Sequence, residues 1–149
     1  MKKVFLLSAL LVVVGSFAQA KDCTLAVYKT YMPNNPGKEI CDEKGFPAEF
    51  GANSGTLLAG LSQQFGYKAA EYDQCEKGFK GPQAYTLVSQ LGNCTQFGIT
   101  MTCQLWVALF NEQTNKKLFE NTITTTGIGG ATGYIGQAVE GMPSCAQAK

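Results

Sequence analysis

Ile99, Met101, Cys103, Leu105, Val107 and Leu109 are apolar at every second position. That period lets a β-strand bury one face, and no other part of the chain keeps up a pattern for so long. A polar break from Glu112 to Lys117 follows, then Leu118 to Thr126, rich in threonine and suited to a second strand. The reading is a long central β-hairpin over about residues 98–126, turning near Gln113, Thr114 and Asn115. Asn115 is suited to the left-handed conformation that a bulged turn requires. With the turn centred on Thr114, Leu109 falls opposite Phe119 and Leu105 opposite Ile123 on the core side.

The rest of the chain supplies shorter elements around this hairpin. Thr24 to Tyr31 alternates as a first strand and is stopped by Pro33, Asn34, Asn35, Pro36 and Gly37. Lys38 to Ala52 is charged and carries Gly45, Pro47 and Gly51, which predicts an exposed loop pinned by Cys41. Asn53 or Ser54 can cap a helix whose Leu57, Leu58, Leu61 and Phe65 share a face, with Gly66 as its stop. Tyr67–Tyr72 and Ala84–Leu91 read as two further strands, separated by a loop over 74–82. After the hairpin, a glycine-rich turn leads to a short helix through Tyr134, Ile135, Ala138 and Val139, ended by Gly141 and Pro143. The fold class expected is α+β: a four- to five-stranded antiparallel or mixed sheet, with two helices packed on one face.

The N-terminus reads as a signal peptide rather than as part of the fold. Lys2 and Lys3 precede an apolar run, Val4 to Val14, and Ala18-Gln19-Ala20 has the small-x-small form of a cleavage site. The run is shorter than the ~20 residues of a membrane span. A lipid anchor would need a cysteine directly after the cut, whereas Lys21 and Asp22 come before Cys23. The expectation is cleavage between Ala20 and Lys21 and a periplasmic or secreted domain over 21–149, with no integral membrane span. The 149 residues less those twenty leave 129, enough for one domain.

The cysteine count fits that compartment. All six, Cys23, Cys41, Cys75, Cys94, Cys103 and Cys145, lie after the signal. An even number in an exported chain points to disulfides, with about 15 full pairings open. There is no Cys-x-x-Cys pair and no histidine to complete a metal site. Cys103, on the apolar face of the central strand, could equally stay a buried thiol.

Composition removes several kinds of chemistry. The chain has no histidine, and its twelve basic residues are all lysine. Nucleophiles activated by histidine are therefore excluded, as is bidentate clamping of phosphate by arginine. Taking Lys2 and Lys3 from twelve leaves ten lysines against eleven acidic residues, a net charge of −1. No basic stripe invites nucleic acid. Carboxylate pairs remain, Asp42 with Glu43 and Glu71 with Asp73, so a small carboxylate-dependent hydrolase is one reading. Gly130 to Gly136 is spaced like a dinucleotide-binding loop, but the 13 residues after it cannot complete a nucleotide domain. Asn93-Cys94-Thr95 fits the glycosylation triplet without acquiring a function. No catalytic residue, cofactor or metal is assigned.

The hairpin's second face offers a binding surface instead. Trp106, Phe110 and Leu118 fall on the side away from the core, Leu118 across from Phe110, as a possible protein-binding patch. Ala84-Tyr85-Thr86-Leu87, the long strand ending in Leu109 to Phe119, and the close near Pro143-Ser144-Cys145 resemble, in arrangement, small bacterial envelope lipoproteins. These are the outer-membrane assembly and transport auxiliary lipoproteins, whose fold packs helices against a sheet of this order. The sequence departs from them in lacking the lipid-bearing cysteine, and no functional residue carries over. The function expected is a non-enzymatic binding module in cell-envelope assembly or maintenance, with a protein partner. The alternative is a secreted inhibitor or effector acting on a foreign protein through loops such as 38–52. Oligomeric state is left open.

Overall fold

The computed structural model describes residues 22–31, 46–73, 83–126 and 131–148. Strands β1 (Thr24–Tyr28), β2 (Lys68–Tyr72), β3 (Tyr85–Phe97), β4 (Thr100–Asn111) and β5 (Lys116–Thr126) form one sheet in the order β2-β1-β3-β4-β5. Helices α1 (Phe46–Gln63) and α2 (Ala131–Ala138) complete the fold. β1 is parallel to both β2 and β3, while β3, β4 and β5 run as an antiparallel meander. The expected α+β class and the helices on one face both hold, and the sheet is mixed.

The alternation read from β4 drives the packing. Cys103, Leu105, Val107 and Leu109 are buried with Leu25, Val27, Leu87 and Leu91 on one sheet face. Leu58 and Ala59 of α1, and Ile135, Ala138 and Val139 of the C-terminal helical region, close that face. Each fully buried Leu or Val of this set contributes about 1.5–3 kcal/mol. The predicted pairings Leu109↔Phe119 and Leu105↔Ile123 are those of the sheet, and Asn115 takes φ 53° in the turn.

Local signals define the helix ends. Gly66, at φ +80°, follows α1, with Gly66 N–H bonded to Gln63 O and Tyr67 N–H to Ser62 O. This is the Schellman arrangement that glycine makes inexpensive. At its other end α1 departs from expectation. It begins at Phe46, so 46–52 is helix rather than loop, and Ser54 is buried inside it rather than capping it. Pro47 sits in the first turn, where a missing N–H costs nothing, and so does not act as a breaker. The side chain of Asn121 on β5 caps the other helix, donating to Gln137 O and Ala138 O.

Three further boundaries differ. β3 runs on through Gly92 and Asn93 to Phe97, beyond the predicted Leu91, because a bulge at Asn93 and Cys94 absorbs the irregular residues. Gly98 and Ile99 then form the two-residue turn between β3 and β4. Ile99, the first member of the alternating set, is 84% exposed rather than in the core. α2 starts at Ala131, inside the cluster expected to be a turn.

Two disulfides lie among the described residues. Cys23–Cys145 joins the start of β1 to the C-terminal segment, and Cys94–Cys103 staples the β3–β4 ribbon at its bulge. Cys103 is therefore a bonded half-cystine and not a thiol. Cys41, Cys75, Asp42, Glu43, the signal segment and the 74–82 loop lie outside the described residues.

Candidate functional site

Both described helices pack on one face of the sheet, and the candidate site lies on the opposite face. Residues that alternate with the core set line it. Phe110 pairs with Thr86, Ala108 with Val88, and Trp106 with Gln90, while β5 contributes Lys117, Glu120 and Thr122 opposite Phe110, Ala108 and Trp106. Ala26, Thr86 and Ala108 form a buried floor of small side chains. Tyr28, Val88, Trp106 and Phe110 stand around it, each half-buried. The result is an apolar surface of three strands with aromatic rims.

One polar network holds it in shape. The Trp106 indole N–H donates to Glu120 Oε1 at 2.7 Å, and Lys117 Nζ donates to Glu120 Oε2 at 2.5 Å. The lysine hydrogen bond first, and the indole second, hold the Glu120 carboxyl below its ordinary range. Trp106 and Glu120 meet diagonally across β4 and β5, within reach of a long side chain. Tyr28 is neutral over a wider range than an ordinary phenol, through burial and then the nearby Glu112 carboxylate, against a lowering contact with Thr86.

The predicted trio is thus only partly brought together. Trp106 and Phe110 share this face and stand outside the core cluster, whereas Leu118 packs against that cluster. The cause is a register shift between Leu109 and Phe110, which pairs Phe110 with Lys117 and makes Leu118 the extra residue of a bulge. Glu120 lies on this face as the alternation of the hairpin places it, whereas Tyr28, Val88 and Lys117 belong to the surface but were missed. Their signal was available in the alternation of the first and third strands and in the diagonal spacing across the hairpin.

The carboxylates expected to act together have separate partners. Glu71 Oε2 accepts the Thr56 hydroxyl at 2.8 Å, and a Cβ on Gly55 would come within 2.7 Å of the same oxygen. Asp73 is ion-paired with Lys29. Among the described residues no group of three potential metal ligands occurs, and no helix is long and apolar enough to cross a membrane.

No protein-family model and no curated protein matches the sequence. Solved structures do match. The dodecamer of a PelC variant from Paraburkholderia phytofirmans is 15% identical, with a TM-score of 0.55 over 87% of this chain and 90% of that one. A PelC dodecamer from the same organism in another crystal form gives 0.52 at 15% identity, over 80% and 88%. Protein XCC0632 from Xanthomonas campestris gives 0.43 at 12% identity, over 87% and 88%. At these identities the PelC likeness is one of fold.

Proposed function

We propose that this chain is an exported, non-enzymatic binding module of the bacterial cell envelope, and that it acts by protein–protein contact through the sheet face around Trp106, opposite the two described helices. The observation that carries the reading is the ordered aromatic surface itself: Trp106 and Phe110 half-buried over small residues, with the indole fixed by Glu120 and Lys117. A pre-ordered aromatic side chain loses little entropy on association, and tryptophan is a frequent interface anchor. The disulfides support an oxidising compartment, and the N-terminal segment supports export with cleavage at Ala20/Lys21.

The partner that fits best is a second copy of the chain. The PelC proteins that share this fold form dodecamers, and a repeated subunit needs a self-complementary or head-to-tail apolar surface of this kind. Part of the 38–52 segment, one of the loops that suited the inhibitor reading, is helix α1. Glu71 and Asp73, the better carboxylate pair of the hydrolase reading, are held by Thr56 and Lys29 respectively. Native mass spectrometry of the mature chain, with and without Trp106→Ala, tests the assignment. The expected result is a multimer that the substitution dissociates.

A further inference from the structure

The β3–β4 hairpin continues past the other described strands of the sheet. On one side its last neighbour is Tyr31, bridged to Gln90; on the other, β5 ends with Thr126 opposite Thr102. Among the described residues the two strands pair only with each other from Thr102 outward, so the turn stands about 10 Å beyond Thr126. Phe97, 91% exposed, and Ile99, 84% exposed, flank Gly98 at this tip and are the exposed large hydrophobic side chains among the described residues. Exposure on that scale is costly in water unless something covers it.

We propose that the tip is a membrane-surface anchor: Phe97 and Ile99 insert at the interface of an electrically neutral lipid bilayer, with Thr95, Gln96 and Thr100 at headgroup level. Charge is the first ground. No charged residue occurs between Lys80 and Glu112, or between Glu120 and Glu140, so the outer end of the meander carries no charge to resist transfer out of water. For the same reason it has nothing to attract an anionic surface.

Backbone accounting is the second ground. A hairpin end entering lipid must satisfy its own polar groups. Phe97 and Thr100 pair directly, and the turn carbonyl of Gly98 accepts the Gln96 side-chain amide at 3.1 Å. Gly98, at φ +62°, forms this two-residue turn without strain. Shape is the third ground. A convex tip with two side chains offers little area to a protein surface, whereas a fluid bilayer conforms to it. The Cys94–Cys103 staple fixes the ribbon beforehand, so insertion requires little ordering.

This anchor lies beyond the Trp106 face and does not depend on it. The test is co-sedimentation of the full mature chain with palmitoyl-oleoyl phosphatidylcholine vesicles. The expected result is binding that is insensitive to added salt and reduced at least about tenfold in Phe97→Ser/Ile99→Ser. The thermal midpoint of that variant should match the wild type, since both side chains are exposed. A second variant, Phe97→Trp, should show a blue-shifted emission on adding vesicles that the wild type lacks. No binding by the wild type, undiminished binding by the double variant, or binding only to anionic vesicles would overturn the proposal. So would a multimer in vesicle-free solution that the double variant abolishes, because the tip would then serve a second copy.

Discussion

Trp106 and Glu120 are joined across neighbouring strands by a 2.7 Å hydrogen bond from indole to carboxylate. Because Glu120 is held below the 4.5 of a free glutamate, this contact is present at neutral pH. It is lost as pH falls through the depressed folded value. Trp106 fluorescence should therefore titrate with a midpoint under 4.5, and Glu120→Gln should remove the transition. A midpoint at or above 4.5 would contradict the network.

The disulfides give a second test. The exported chain should begin at Lys21 and weigh at least four hydrogens less than its fully reduced form, two for each of the described bridges Cys23–Cys145 and Cys94–Cys103. More than two alkylatable thiols in natively exported material would contradict one of those bridges. Replacing Cys23 and Cys145 by alanine should cost about 2–5 kcal/mol, measured by urea unfolding, since their link spans 122 residues.

Two glycines of similar sequence context should respond in opposite directions. Gly60 lies in the exposed interior of α1, and an added Cβ there meets nothing within 4 Å. Gly60→Ala should stabilise by about 0.5–1 kcal/mol. Gly66, at φ +80°, ends the same helix, so Gly66→Ala should destabilise by about 1 kcal/mol. Equal effects in chemical denaturation would contradict the Schellman end.

How much of this was legible in the sequence depends on how far a pattern is local. The alternation through Cys103, Leu105, Val107 and Leu109 has one consistent solution, and it fixed the hairpin register to the residue pair. Asn115 marked the turn for the same reason. Leu118 was misplaced because a bulge moves one residue across the sheet without leaving a hydropathy signal. Ile99 obeyed the alternation and still lies outside the core, since the period does not say where the core ends. Pro47 and Gly51 read as breakers, yet a first-turn proline is compatible with a helix. The Trp106–Glu120–Lys117 network required two strands in register before its spacing meant anything.

The central claim is that the Trp106 face makes protein contacts, and subunit mass tests it most directly. Native mass spectrometry of the mature chain should give a multimer. Trp106→Ala should dissociate it, weakening association by about 2 kcal/mol or more, while changing monomer stability by about 1 kcal/mol or less. A wild-type monomer at every concentration, or a Trp106→Ala variant that unfolds readily yet still assembles, would make Trp106 part of the subunit's own packing and contradict the account.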